Sequence, residues 1–168
     1  MNLQEYQQKR ELYRQFAETV RKILSAAIEG SSYKYRLQQI QCRAKTVESL
    51  EARLSEQGRK NAQNIEEIRN DLAGCRIIFY YNDDVNAFLS SGLVRDNFKV
   101  HWEKSKVHSL RDEAVSANDY YTANHFIVEL DDVRASLSEY ALFKGMKCGN
   151  RSGVTSYAAT GQSSSASV

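Results

Sequence analysis

At 168 residues, with 42% hydrophobic and 26% charged side chains and a net charge of +2, the chain has the length of one compact domain and enough apolar surface for its core. That composition excludes wholesale disorder, and the near-neutral balance gives no general attraction to a nucleic-acid duplex or an anionic membrane. No apolar run approaches the ~20 residues of a membrane helix, the first six residues lack the order of a signal peptide, and three scattered cysteines, Cys42, Cys75 and Cys148, have neither disulfide nor zinc spacing, so a cytoplasmic setting is expected.

From Glu5 to Glu29 the apolar residues Tyr13, Phe16, Val20, Ile23, Leu24 and Ala27 fall on one helical stripe, which Gly30 ends. Tyr33, Tyr35 and Leu37 alternate with Lys34, Arg36 and Gln38 and predict a half-buried strand running on through Ile40 and Cys42 to Lys45. Thr46 caps a following helix with Glu48 in its first turn and Leu50 and Leu54 on its inner face. A polar connection precedes a short helix with Ile65, Ile68 and Leu72. The nearly continuous apolar run Cys75–Tyr81 predicts a central strand covered on both faces. Asn82-Asp83-Asp84 turns into a helix that stops near Gly92, with Asp83 and Asp84 as turn and cap residues. Phe98, Val100 and Trp102 form a further strand, residues 103–119 a polar loop, and two more strands lie near His125–Leu130 and Tyr140–Cys148. From Gly149 the residues are small and polar without periodicity, so the folded unit is expected over 1–148 and a flexible tail over 149–168. The fold class is α+β, a mixed sheet flanked by helices.

Three groups of residues can carry chemistry. Arg43 and Lys45 leave one face of a strand end, and Ser49 and Arg53 stand one turn apart on the next helix. They can converge three cations and a hydroxyl on a polyphosphate, or form a solvated basic edge. Asp71, before the central strand, can hold Mg²⁺ while Arg76 binds phosphate, or the two can simply pair. Tyr121 can stack on a nucleobase beside His125, or both can be packing residues.

Taken in order, Arg43-x-Lys45-x-x-x-Ser49-x-x-x-Arg53, then Asp71-Leu72-x-Gly74-x-Arg76-Ile77-Ile78, then Tyr121-x-x-x-His125 resembles the RelA/SpoT synthetase family over roughly Tyr13 to Cys148. Those GTP pyrophosphokinases make the alarmones pppGpp and ppGpp. The resemblance implies a nucleotidyltransferase-like synthetase domain and Mg²⁺-dependent transfer of pyrophosphate from ATP to the ribose 3′-hydroxyl of GDP or GTP. By matching position, Arg43, Lys45, Ser49, Arg53 and Arg76 would bind the ATP side, Asp71 would be the catalytic metal ligand, and Tyr121 and His125 would hold the acceptor nucleotide.

The chain also departs from the family pattern. Ala117-Asn118-Asp119-Tyr120 stands where the family offers a basic residue and a Gly-Tyr pair, and Ala123 replaces a usual serine. The family's last core strand carries Glu-x-Gln-x-Arg-Thr, whose glutamate completes the metal site and activates the acceptor hydroxyl. Here Gly149-Asn150-Arg151-Ser152-Gly153-Val154 holds no carboxylate, which counts against transfer by this chain. Two alternatives follow: a pyrophosphokinase toxin acting on the 3′ end of tRNA, with Lys104, Lys106 and Arg111 meeting RNA, or a non-catalytic nucleotide-binding remnant. A truncated sheet would leave one face bare, so poor solubility or a homo-oligomer is expected.

Overall fold

A computed structural model of the chain describes residues 1–34, 36–106 and 124–154. The first helix, α1 (Leu3–Glu29), begins with a capping box in which Asn2 and Glu5 satisfy each other's backbone N–H groups, and it ends at Gly30. Phe16, Ala17, Val20, Leu24 and Ile28 form its buried stripe. Strand β1 (Leu37–Ala44) leads through the Thr46 cap into α2 (Val47–Glu56), and the short α3 (Ile65–Ile68) precedes strand β2 (Ala73–Phe79). Helices α4 (Asn82–Ser90) and α5 (Leu93–Asn97) then run into β3 (Phe98–Val100). Strand β4 (Asn124–Leu130), α6 (Asp132–Ala135) and a 3-10 turn over Ser138–Phe143 lead to the last strand, β5 (Cys148–Val154).

The five strands make one mixed sheet in the order β1-β2-β5-β4-β3. Only β2 and β5 run parallel; the other three pairings are antiparallel. Helix α1 lies across one face, packed chiefly on β1 and β2, and its stripe shares one core with Ala73, Cys75, Ile77 and Phe79 of β2 and with Phe126, Val128 and Leu130 of β4. A second, smaller core gathers Tyr6, Leu50, Leu54, Ile65 and Leu72 between the start of α1, α2 and α3. None of the described helices is long and apolar enough to cross a membrane.

Several expectations need correction. The first strand starts at Leu37, because residues 31–34 are spent in a turn that leaves α1. Strand β2 is covered on both faces only toward its end, where Ile77, Ile78 and Phe79 are all buried; nearer its start Arg76 is exposed and Gly74 half-exposed on the face away from α1. The stretch beginning at Tyr140 is a 3-10 turn: Phe143 is its buried residue, Tyr140 packs only partly on the core, Leu142 stays exposed and Gly145 takes a positive φ of 76°. The boundary expected at Gly149 falls inside a strand. Residues Cys148–Val154 occupy the middle of the sheet and pair with β2 on one side and β4 on the other. The remaining tail, 155–168, and most of the predicted loop lie outside the described residues.

Strand β5 turns Cys148, Asn150 and Ser152 toward the core, all three buried. Asn150 accepts a long hydrogen bond from the Cys148 thiol (3.4 Å), but its Nδ2 and the Ser152 hydroxyl lack partners. A buried polar atom without a partner costs about 1–3 kcal/mol. Ser152→Ala is therefore expected to raise the unfolding free energy by about 1 kcal/mol in urea titration, whereas a drop in stability would show that the hydroxyl is satisfied.

Candidate functional site

The open face of the sheet is built by register. Gln41 of β1, Arg76 of β2, Arg151 of β5 and His125 of β4 are successive partners across four strands. One step away along the strands, Arg43, Gly74, Gly149 and Ile127 form a parallel row. Because side chains on alternate residues share a face, both rows look away from α1. The two glycines remove side chains from the middle of the second row and leave a cleft of about 370 Å³, lined by Arg43, Lys45, Asp71, Arg76, His125 and Arg151 among others. At Gly149 the space is already taken: a Cβ there would stand 2.7 Å from His125 Nε2 and 3.3 Å from Asp71 Cβ.

Asp71 is the carboxylate of this cleft, and it is fully engaged. Lys45 Nζ donates to its Oδ2 at 2.9 Å, while Arg69 donates through Nε to Oδ1 at 3.1 Å and through NH2 to Oδ2 at 3.0 Å. Lys45 is itself pinned. Its backbone N–H donates to Leu72 O at 2.8 Å, and its carbonyl accepts from the Tyr6 hydroxyl at 2.6 Å and from Arg10 Nε at 3.1 Å. Burial pushes the Tyr6 hydroxyl up to about 12, so it remains a donor. Burial also pushes the Asp71 carboxyl upward, but Lys45 and Arg69 outweigh it and hold the group below the usual carboxylate range. His125 is lowered, first by burial and then by the charge of Arg151, with Lys106 and Arg69 adding to the effect against Asp71. Its imidazole is therefore neutral at neutral pH.

The structure thus brings together Arg43, Lys45, Asp71, Arg76 and His125 from the sequence candidates. Ser49 and Arg53 stand elsewhere: both are exposed on α2 outside the cleft lining, with the Ser49 N–H donating to Thr46 Oγ1 and Arg53 paired to Glu56 at 2.9 Å. Tyr121 and Arg111 lie outside the described residues. Asp71 pairs with Lys45 and Arg69 rather than with Arg76. Asp84 does not cap α4, which begins after Tyr81 without a side-chain cap; it lies buried in the first turn and receives Arg36 at 3.1 Å. Outside the cleft, His101 meets Glu129 at 2.6 Å and Glu103 at 3.3 Å. Arg69 and Arg151 are contributors that sequence reasoning missed. Each sits two residues from another site position, Asp71 or Gly149, and that spacing is the available signal.

The donor set does not fit a divalent cation. Both oxygens of Asp71 already accept from cations, it is the one carboxylate among the lining residues, and no three His, Cys, Asp or Glu side chains group to hold a metal among the described residues.

A carboxylate with a lowered pKa stabilises the fold fully at neutral pH and loses that contribution as the pH falls through the lowered value. Asp71→Asn is expected to cost about 1–3 kcal/mol at neutral pH, since Lys45 and Arg69 lose their partner, and to flatten the acid limb of stability against pH. Urea unfolding of both chains at neutral and acidic pH reads this. Equal stability at neutral pH would contradict it.

No protein-family model matches the chain, and no curated protein does. Solved structures do match its fold. The small alarmone synthetase 1 of Bacillus subtilis superposes with a TM-score of 0.64 at 18% identity, over 90% of this chain and 71% of that one. The same synthetase has been solved bound to AMPCPP and to its product pppGpp. A GTP pyrophosphokinase family protein from Streptococcus pneumoniae matches at 0.61 and 16% identity over 89% and 70% of the two chains. The small alarmone synthetase 2 of Bacillus subtilis matches at 0.57 and 20% identity over 89% and 72%. The helices, the mixed sheet and its order are therefore those of a small alarmone synthetase fold.

Proposed function

We propose that the cleft binds the polyphosphate of ATP in a protein of the RelA/SpoT, GTP pyrophosphokinase type, with the ribose 3′-hydroxyl of GDP or GTP as the acceptor of pyrophosphate. The observation that carries this reading is the row of Arg76 and Arg151 beside Arg43, aligned over Gly74 and Gly149. Guanidinium forks match phosphate oxygens in pairs, and the bare backbone at Gly74 leaves room for the chain of phosphates to approach. The likeness to a synthetase solved with AMPCPP and pppGpp supports nucleotides as the ligands.

The residues have distinct parts in this reading. Arg43, Arg76 and Arg151 hold the phosphates and neutralise the charge that builds on the migrating group. Lys45 and Arg69 keep Asp71 in place. His125, neutral and bordering the hollow at Gly149, is the group able to take the acceptor proton. Mg²⁺, expected from the resemblance, has no ready protein site here. The free thiols of Cys42, Cys75 and Cys148 suit a reducing cytoplasm. One observation favours a second reading, nucleotide binding without transfer: among the described residues the cleft lining offers no carboxylate other than Asp71, which Lys45 and Arg69 already hold.

Pyrophosphate transfer from γ-labelled ATP, offered GDP, GTP and tRNA in parallel, separates these. Labelled pppGpp or ppGpp is expected, with about tenfold weaker ATP binding in Arg43→Ala and product lost in His125→Ala. ATP binding without product would establish the second reading, product on tRNA would change the acceptor, and no nucleotide binding at all would refute both.

A further inference from the structure

The charges of the cleft do not balance, and the imbalance says in which form polyphosphate is held. Asp71 is neutralised twice over by Lys45 and Arg69. Arg43, Arg76 and Arg151 are all exposed, and among the described residues none of them pairs with a carboxylate. Arg76 and Arg151 are direct register partners on adjacent parallel strands, a distance of about 4.8 Å between backbones, where like charges repel. An anion placed between them relieves that repulsion.

We propose that this cleft holds polyphosphate free of a divalent cation, Arg151 supplying the positive charge that a bound metal would otherwise bring. The inference rests on the polyphosphate assignment above and adds the ionic form of the ligand. A metal complexed to the phosphates would remove negative charge from the ligand and add a cation beside Lys45, Arg69 and the three arginines. Asp71, the carboxylate that could offset it, already accepts two hydrogen bonds at Oδ2, from Lys45 and Arg69, and one at Oδ1 from Arg69. Beside it the imidazole of His125 stands over Gly149, and the described residues of the lining include no second carboxylate. Three fixed guanidinium groups gain most from the fully charged, uncomplexed chain of phosphates.

The test is calorimetric titration of inorganic tripolyphosphate and of ATP into the full chain, once in EDTA and once in excess Mg²⁺. Both ligands are expected to bind in EDTA and to bind more weakly with Mg²⁺. Arg151→Ala, an exposed position whose loss leaves the core untouched, is expected to weaken binding in EDTA by about tenfold. Arg14→Ala removes a charge from the exposed face of α1, where it pairs with Glu11, and is expected to leave binding as it was. Binding that requires Mg²⁺, or that is indifferent to Arg151, would overturn the inference while leaving the polyphosphate reading intact. Absence of binding in both conditions would overturn the two together.

Discussion

The parallel pairing of β5 with β2 is the interaction on which the rest depends. A strand inserted between β2 and β4 joins two halves of the chain, the β1–β2 hairpin-like pair and the β3–β4 pair, into one sheet. Its register then decides the chemistry. Gly149 falls opposite Gly74 and Arg151 opposite Arg76, so the smallest residues open a floor and the guanidinium groups border it. A shift of one residue would turn Gly149 and Arg151 into the core and Asn150 out to the cleft.

Two packed regions hold that arrangement from opposite sides. Beneath the sheet, the α1 stripe packs on β1 and β2 and shares one core with the alternate residues of β4, which fixes which face stays open. At the cleft's edge, the first turns of α1 reach the β1–α2 corner, where Tyr6 and Arg10 converge on the Lys45 carbonyl and Lys45 in turn holds Asp71. The hydrophobic cluster of Tyr6, Leu50, Leu54, Ile65 and Leu72 anchors that latch. The polar interior of β5 works against stability, because Asn150 and Ser152 are buried with unpaired atoms in an otherwise apolar layer.

Much of this was legible in the sequence where apolar periodicity is strong. The α1 stripe, the Thr46 cap and the run that became β2 each carry their own signal, and the spacing of Arg43, Lys45, Asp71, Arg76 and His125 marks residues that the fold does bring to one cleft. Strand β5 was illegible for a physical reason. Its inward positions are Cys, Asn and Ser and its outward ones Gly, Arg and Gly, so neither alternation nor β-propensity announces a strand that is fixed by its neighbours on both sides. Arg151 was missed with it. Spacing alone also drew Ser49 and Arg53 toward the phosphates, whereas α2 carries them on its exposed side, beyond the cleft lining. Periodicity records which side of an element is apolar; it does not record where the element's polar side points relative to a distant strand.

In the proposed reading phosphate lodges against Arg76 and Arg151 of one row and Arg43 of the next on the open sheet face. Side-chain NMR of the arginine Nε–Hε groups during titration with tripolyphosphate tests it most directly. The account predicts saturable shifts at Arg43, Arg76 and Arg151 with Arg53 and Arg14 unmoved. Shifts confined to Arg53 on α2, with the three cleft arginines silent, would contradict it.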